Sequence, residues 1–265
     1  MSLRHDALNG PCSSAHFHFP DNAFSTTIIS TAVPTAPTRI SSPASGTPAL
    51  PVANWGGLGL HLRGTIEAFN KIRSTDKWLK VESGPYFTTP MLPKNVALQL
   101  KFFDRYLKGI ANGWESEPRV EVSIRATDDS IKSWLADTEW PMRLTNWTPL
   151  HLNLANLSLE SATPAQDASA SFEASGEGLA FRSAPMKKEM TFAGPLKLRV
   201  WLSSKTPDAD LFITIRAFDP HGKEATFLTA IEPKSEVSQG WLRASHRKTD
   251  AKLSTEWLPV LPEER

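Results

Sequence analysis

The sequence predicts an α+β fold in which a strand–helix segment comes before a segment rich in β-strands. Apolar residues recur at helical spacing within Lys94–Lys108. From residue 119 onward the spacing changes to period two, because Val120, Val122 and Ile124 alternate with polar residues. The chain has 265 residues, 40% of them apolar, with nine Trp and thirteen Phe, which is enough for a substantial core.

Charge and composition argue against several classes of partner. A net charge of +1 gives no long-range attraction to nucleic acid or to an anionic membrane. No segment has the roughly 18 consecutive apolar residues of a membrane helix. Cys12 is the only cysteine and no Cys/His cluster has zinc-ligand spacing, so we expect no disulfide, metal or cofactor. Met1–Asn9 are not followed by an uninterrupted apolar stretch, so no secretory signal is visible and the cytoplasm is the default location.

Residues 1–47 are dominated by Ser, Thr, Ala and Pro. Such a composition offers little apolar surface to offset the entropy lost on ordering, so we expect a low-complexity, mostly disordered tail. The run Thr26–Ile29 is the exception, because its residues favour a strand. His16 and His18 raise the question of a metal, but without a third ligand nearby the pair is interpreted as part of a solvated tail.

The next segment predicts a strand–helix–strand unit and then a long helix. Ala49–Ala53 and Trp78–Val81 are expected as short strands, and the residues between them have helical spacing. Lys94–Lys108 is the clearest helix, with Gly109 placed to end it. Its apolar face consists of Val96, Leu100, Phe103 and Leu107, widened by Phe102 and Tyr106. We expect this broad face to be buried against a sheet.

The second half of the chain predicts a β-sandwich. Its two strongest strands are Leu196–Leu202 and Leu211–Phe218, and the second is closed by a turn at Asp219–Gly222. A further strand is expected at His151–Leu154, and Ser161–Ser171 is expected to be an exposed loop. Short strands at this spacing are typical of sandwich domains.

Several segments together resemble the X-Pro dipeptidyl-peptidase and cocaine-esterase family of serine hydrolases, the CocE/NonD type. The resemblance rests on five stretches that occur in the order of the family: Ala53–Gly57, Phe102–Gly109, Glu139–Pro141, Pro207–Arg216 and Gln239–Arg247. It implies the C-terminal fragment of an α/β-hydrolase sheet over residues 48–115, followed by a jelly-roll-like antiparallel β-sandwich over residues 116–265. The family continues with further strands, so this sandwich is expected to be incomplete.

The catalytic residues of such hydrolases are not found in the sequence. The nucleophile requires a Gly-x-Ser-x-Gly turn, and the only glycines four positions apart, Gly109 and Gly113, do not enclose a serine. The resemblance implies the triad acid in the loop 54–59 and the base in the loop 82–89, but the first has no carboxylate and the second no histidine. Neither Tyr86 nor Thr88 can replace an imidazole as the acceptor of the serine proton near neutral pH. We therefore assign no catalytic, cofactor-binding or metal-binding residue.

Two histidines, His61 and His246, are candidates for a catalytic role, and each also has a structural interpretation. His61 is either a displaced general base or a residue that packs or caps at the start of a helix, and we favour packing or capping. His246 is assigned to a domain contact. Its neighbour Ser245 does not form a catalytic pair with it if both lie on a strand, because adjacent residues then point to opposite faces.

Two further pairs of residues have a functional and a structural interpretation. Asp208 and Asp210 are candidate cation ligands, but two carboxylates do not supply the roughly six oxygens of a calcium site. Turn capping and a salt bridge to Arg243 are favoured instead. Trp201 and Trp241 are candidates for stacking on a sugar, although aromatic residues in alternating strands usually belong to the core.

The function expected from the resemblance is that of a partial hydrolase-family member, of the dipeptidyl-peptidase or ester-hydrolase type. It is expected to be non-catalytic alone, with the sandwich as a structural or interaction domain. The open alternatives are one half of a split active hydrolase, a carbohydrate- or peptide-binding sandwich, and a gene fragment without function. The expected partners are a hydrolase domain or a second copy bound through the incomplete sandwich, but not nucleic acid or a membrane.

Overall fold

The fold is that of a computed structural model, which describes residues 2–4, 24–30, 46–254 and 259–260. It consists mostly of strands with two α-helices among these residues, in agreement with the expected β-rich α+β class. The chain divides into two compact units. One unit comprises Thr38–Thr145 and Thr214–Gln239, and the other Met1–Pro37, Asn146–Ile213 and Gly240–Arg265. None of the described helices has the length and apolar character of a membrane span.

The elements are numbered in chain order. The helices are α1 (Leu62–Lys71) and α2 (Pro93–Lys108), and short 3-10 turns occupy Trp55–Gly57, Thr89–Met91, Trp114–Ser116 and Ala244–His246. The strands are β1 (Ser2–Arg4), β2 (Phe24–Ser30), β3 (Val52–Asn54), β4 (Leu79–Glu82), β5 (Val120–Arg125), β6 (Ile131–Asp137), β7 (His151–Asn153), β8 (Ser158–Glu160), β9 (Ser169–Ser171), β10 (Arg182–Ser183), β11 (Lys197–Ser203), β12 (Asp210–Ile215), β13 (Ala217–Phe218), β14 (Glu224–Ala225) and β15 (Ser238–Arg243).

The first unit is built on a four-stranded sheet with the order β3-β4-β5-β6. Strands β3, β4 and β5 are parallel, with Ala53 opposite Val81 and Val81 opposite Val122, whereas β6 returns antiparallel to β5. Parallel neighbours need a crossover, and α1 and α2 provide the two crossovers. The expected strand–helix–strand unit is therefore present. The period-two pattern grouped β5 with the sandwich, but β5 pairs with β4. Alternation of apolar and polar residues indicates a strand, but it does not show which strand it pairs with.

Two apolar clusters hold this sheet together. Ala53, Leu79, Val81, Val120 and Val122 are buried along the three parallel strands, against Phe69 of α1 and against Trp140. A second cluster joins α2 to the sheet through Phe102, Trp78 and Trp114. The ring centroids of these three residues lie 5.1–6.3 Å apart in edge-to-face geometry. Such pairs add about 0.5–1.5 kcal/mol each beyond the area that they bury.

The predicted helix over Lys94–Lys108 is confirmed by α2. Gly109 ends it in the left-handed conformation, at φ 69°, with its N–H directed at the carbonyl of Asp104. The predicted orientation of the helix is wrong, however. Phe102 is buried, whereas Val96, Leu100, Phe103 and Leu107 are exposed. Trp78 and Trp114 pack against the Phe102 side of the helix. The apolar residues of α2 cover a wide part of its circumference, and the sequence does not show which of them face these two Trp residues.

The second unit contains a four-stranded sheet, β2-β11-β1-β9, and a three-stranded sheet, β10-β8-β7. Its core is formed by Leu152, Leu154, Val200, Leu202 and Ala244. The expected strand over Thr26–Ile29 is confirmed, because β2 pairs with β11 from Ile28 opposite Arg199 to Phe24 opposite Leu202.

Part of the N-terminal region expected to be disordered is thus paired in a sheet, since β1 and β2 lie on either side of β11. Backbone pairing with a distant strand provides order that local composition does not predict. Cys12, His16 and His18 lie outside the described residues.

The remaining strands follow the sequence pattern with two exceptions. The first is that the expected strand over Leu211–Phe218 is divided at Arg216 into β12 and β13. Strand β12 pairs with β15, and β13 with β14 across the expected turn, where Gly222 has φ 80° and donates its N–H to the carbonyl of Asp219. The second exception is the expected loop over Ser161–Ser171, because Ser169–Ser171 form β9 and pair with β1.

Removing the indole of Trp114 should destabilise the first unit strongly. Trp114 is 1% exposed and contacts both Trp78 and Phe102, so Trp114→Ala leaves a large cavity. We expect a loss of about 3–5 kcal/mol in the free energy of unfolding, measured by urea denaturation followed by Trp fluorescence. Leu144→Ala is the control, because Leu144 is 94% exposed and its removal should change stability by less than about 0.5 kcal/mol. A similar loss in both variants would contradict this assignment of the core.

Candidate functional site

The carboxyl ends of β3, β4 and β5 form one edge of the parallel sheet. In open α/β sheets, ligands bind outside the carboxyl ends of the strands. The two loops that begin here, residues 54–59 and 83–89, are the ones in which the resemblance places a triad acid and base. They lie side by side, because Asn54 and Glu82 are paired in register.

Asn54 ties the two loops together. Its Oδ1 accepts a hydrogen bond of 2.7 Å from the N–H of Gly56, which starts the turn Trp55–Gly57. Its Nδ2 donates to the carbonyl of Gly84 at 3.3 Å. Both polar atoms of this buried amide are therefore used for structure.

A segment from much later in the chain, Phe227–Ser235, lies against this edge of the sheet. The N–H of Ala230 donates to the carbonyl of Gly56 at 2.8 Å. A Cβ atom at Gly56 would lie 3.0 Å from the carbonyl oxygen of Leu228, so only glycine allows the approach. This segment thus covers the end of β3.

The same segment is held at the end of β5 by an acidic and a basic residue. Oδ2 of Asp129 accepts the N–H of Leu228 at 2.8 Å, and Oδ1 lies 3.5 Å from Nη1 of Arg125. The Arg125 guanidinium lies 4.0 Å from the ring centroid of Phe227. Burial lowers the pKa of Arg125, and the charge of Asp129 opposes that shift. Arg125 and Asp129 therefore fix the Phe227–Ser235 segment at the sheet edge.

Buried polar groups continue along β4 and β5. The hydroxyl of Ser123 donates to the carbonyl of Val81 at 2.9 Å and lies 2.7 Å from the hydroxyl of Ser83. Since the Ser123 proton is used by the backbone, the shared proton is that of Ser83. The Glu82 carboxylate is 2% exposed, and its Oε2 lies 3.5 Å from Nζ of Lys94. The ion pair with Lys94 joins α2 to the sheet, and the two hydroxyl contacts join β4 to β5.

His61 lies beside the loop 83–89, at the start of α1. Its ring stacks on Tyr86, with centroids 6.0 Å apart and planes inclined by 25°. Its side chain makes no capping hydrogen bond, and it is the His61 carbonyl that accepts from Thr65. The geometry therefore places the imidazole against a phenol ring.

Asp208 and Asp210 bind neighbouring protein groups. Asp210 forms a bidentate salt bridge with Arg243, with both N–O distances 2.8 Å. Asp208 accepts from the Ser245 N–H at 2.9 Å and from the Ser245 hydroxyl at 2.5 Å. The favoured salt bridge and turn capping are both present. The Arg243 hydrogen bonds lower the pKa of Asp210, and the Ser245 hydroxyl lowers that of Asp208.

Ser245 and His246 belong to a 3-10 turn, Ala244–His246, and not to a strand. The argument from opposite strand faces is therefore wrong for this pair. The Ser245 hydroxyl donates its proton to Asp208, so this proton is not shared with an imidazole.

The remaining candidate positions show no built ligand site. Trp201 packs on the core of the second unit, and Trp201 and Trp241 are both half-buried. Within the described residues, no group of three or more His, Cys, Asp or Glu side chains is placed to hold a metal ion.

Sequence reasoning missed the Phe227–Ser235 segment and the residues that anchor it. The pair Gly56–Gly57 was the one available signal, since adjacent glycines often mark a close approach of backbone. A Cβ at Gly57 would lie 2.9 Å from the Tyr86 ring. Which segment makes the approach depends on contacts between residues far apart in the chain.

The protein-family profile described as the X-Pro dipeptidyl-peptidase C-terminal non-catalytic domain matches residues 112–264. This match covers more than half of the chain. The chain belongs to this family. The X-Pro dipeptidyl-peptidase and CocE/NonD resemblance of the sequence motifs is thereby confirmed.

Solved structures extend the similarity beyond the X-Pro dipeptidyl-peptidase C-terminal domain. Two crystal structures of a CocE/NonD family hydrolase from Staphylococcus aureus are similar to the chain, with 26% and 27% identity and a TM-score of 0.71 in each case. The alignments cover 83% and 82% of this chain and 40% of the hydrolase in both. The chain therefore spans about 40% of the length of the hydrolases that it matches. Comparison with curated proteins finds no match.

A methyl group at Gly56 should disturb the Phe227–Ser235 segment. Because the added Cβ would lie 3.0 Å from a backbone oxygen, Gly56→Ala should destabilise the fold by about 1–3 kcal/mol. Faster hydrogen exchange over residues 227–235 should accompany the change. Gly64→Ala in α1 is the matched control, since nothing lies within 4 Å of its Cβ position and alanine favours a helix. Slow exchange over residues 227–235 in Gly56→Ala would contradict the close approach.

Acid should weaken the link between β12 and β15. The pKa of Asp210 is lowered in the folded state, so its stabilising contribution is complete above the ordinary carboxyl pKa of about 4 and is lost as the pH falls through the lowered value. Asp210→Asn should lower the melting temperature at pH 7, and the difference from wild type should shrink towards pH 2. Glu177→Gln, in an exposed loop, is the control. A difference that does not depend on pH would argue against the ion pair.

Proposed function

We propose that the chain is the non-catalytic C-terminal portion of a CocE/NonD-type hydrolase. In this proposal strands β3–β6 with α1 and α2 are the last part of an α/β-hydrolase sheet, and the second unit is a jelly-roll-like β-sandwich with a structural or interaction role. The observation that carries the proposal is the family match over residues 112–264, whose description is that of a non-catalytic domain. The identity of 26–27% with a hydrolase over 40% of its length supports it.

The architecture of the first unit supports the assignment to a hydrolase sheet. Three parallel strands joined by crossover helices are typical of α/β enzymes. The sheet includes β5 and β6, so the hydrolase part in this proposal extends beyond residue 115, where the sequence placed its end. The whole hydrolase would act on amide or ester bonds, of the X-Pro dipeptide or short-acyl type, through an acyl-enzyme.

The residues at the sheet edge support the proposal that this chain alone is not catalytic. The loop 54–59 offers an amide where the resemblance implies an acid, and both polar atoms of that amide are bonded to backbone. The loop 83–89 offers Tyr86, and Tyr86 stacks on His61. A nucleophilic serine requires an imidazole within hydrogen-bond distance, and the nearby Ser83 and Ser123 bond to each other instead.

A second candidate function, one half of a split active hydrolase, is favoured by one observation. Strand β3 is the end strand of a parallel sheet, and its residue Val52 is 42% exposed. An edge strand presents a row of unpaired backbone N–H and C=O groups, so a further strand from another polypeptide would fit beside β3. In this case hydrolysis should appear only when a polypeptide that carries the nucleophile is added.

The proposed function is tested by reaction with a fluorophosphonate probe. The purified chain should show no increase in intact mass, and no hydrolysis of X-Pro dipeptide amides or short-acyl esters, because the loop 54–59 has no carboxylate and the loop 83–89 has no histidine. A full-length CocE/NonD family hydrolase treated in parallel is the positive control. Labelling at one probe per chain would overturn the proposal and would locate the nucleophile by peptide mapping.

A further inference from the structure

Asn112 ties helix α2 to the turn that follows it. Its Nδ2 donates a hydrogen bond of 2.7 Å to the carbonyl of Lys101 in α2, and its Oδ1 accepts the N–H of Trp114 at 3.2 Å. Trp114 is 1% exposed and packs against Phe102 of the same helix. The amide of Asn112 therefore supports the aromatic cluster of α2 through both of its polar atoms.

The residue after Asn112 is a glycine whose backbone nitrogen is open to approach. Gly113 is exposed and has φ 73°, and apart from its chain neighbours no atom lies within 4 Å of the position that a Cβ would occupy. Within the part of the chain that the structure describes, the Gly113 N–H forms no hydrogen bond. Because glycine has no side chain to shield this nitrogen, the nitrogen is free to react with a neighbouring group.

Asn112 is the one asparagine among the described residues that precedes a glycine. The others precede Trp, Lys, Val or Leu, and they are Asn54, Asn70, Asn95, Asn146, Asn153 and Asn156. A side chain on the following residue hinders the approach of its backbone nitrogen to the asparagine Cγ. Asn9–Gly10, the other pair of this kind in the sequence, lies outside the described residues.

We propose that Asn112 is a deamidation site, at which the chain converts its own side-chain amide into a carboxylate. The Gly113 nitrogen gives its proton to water and bonds to Cγ of Asn112, which closes a five-membered ring. The Cγ–Nδ2 bond breaks, and the released nitrogen takes a proton from water and leaves as ammonia. A second water molecule then opens the cyclic imide to aspartate or isoaspartate. The reaction needs no reactant other than water.

Two contacts of the amide affect the rate of this reaction. Negative charge develops on Oδ1 during the attack, and the Trp114 N–H already donates to this atom. A donor placed where charge develops stabilises the transition state. The bond from Nδ2 to the Lys101 carbonyl acts in the opposite sense, because it must break before ammonia leaves. One such hydrogen bond slows the reaction by at most about tenfold. Water reaches the amide, since Asn112 is only half-buried.

The product lacks the donor on which the contact with Lys101 depends. A carboxylate has no N–H group, so one of its oxygens would face the Lys101 carbonyl oxygen, which now lies 2.7 Å from Nδ2. In isoaspartate the backbone also gains a methylene group directly before Gly113, which lengthens the path to Trp114. Deamidation should therefore loosen the aromatic cluster of α2. This inference is independent of the proposed function, because it concerns stability and not hydrolysis of a substrate.

Peptide mapping of the full chain tests the reaction. The purified chain is incubated at mildly alkaline pH, both folded and in urea, and is then cleaved with trypsin. The peptide 109–119 should gain the mass of an amide-to-acid conversion, at a rate in the folded chain within about tenfold of the rate in urea. The peptide 64–71, in which the exposed Asn70 precedes Lys71, is the internal control and should stay unchanged. A slower conversion of the folded chain, or equal conversion of both peptides, would overturn the proposal.

The melting temperature tests the structural consequence. Asn112→Asp should melt at least about 2 °C below wild type. Asn146→Asp is the matched control, because Asn146 is exposed and its side chain forms no hydrogen bond with the described residues.

Incubation provides a second readout that does not depend on the folding of a variant. The melting temperature of wild type should fall as the peptide 109–119 is converted, whereas that of Asn112→Gln should not, since glutamine must close a larger ring. An unchanged melting temperature of the converted wild type would overturn the structural role of the amide. An equal fall in both chains would assign the change to another position and would overturn it as well.

Discussion

The packing of Phe102 between Trp78 and Trp114 is the interaction on which the first unit depends. Trp78 comes just before β4, Phe102 lies in the middle of α2, and Trp114 begins the turn that leads to β5. One cluster therefore closes the crossover between two parallel strands. The cluster thereby fixes the crossover helix on the sheet, next to strands that pair in register through Leu79 and Val120 and through Val81 and Val122.

At the common edge, the polar side chains that the structure describes bind other parts of the protein. In an enzyme, polar groups at the carboxyl ends of the strands point to a substrate. Here Asn54 binds backbone, Ser83 and Ser123 bind each other, and Asp129 holds a later segment of the chain. The same positions that could present catalytic groups instead stabilise the sheet and the segment that covers it.

Local features could be predicted from the sequence, and long-range features could not. The end of α2 at Gly109 depends on neighbouring residues and was predicted correctly. The buried side of α2, the pairing of β5 with β4 and the pairing of β2 with β11 depend on distant residues. Among the candidate residues, the salt bridge between Asp210 and Arg243 was expected from their opposite charges. The hydrogen bond from the Leu228 N–H to Asp129, which anchors the Phe227–Ser235 segment, could not be predicted, because any residue other than proline carries such an N–H.

The cover on the sheet edge also has a consequence for biosynthesis. The hydrogen bond between Asp129 and Leu228 joins residues 99 positions apart. During translation, strands β3 to β6 leave the ribosome well before the Phe227–Ser235 segment does. Contacts of this range slow folding, because a long loop must close before they form. Until residues 227–235 have emerged, the ends of β3 and β5 lack the segment that covers them, and a chaperone or a misplaced strand has access to them.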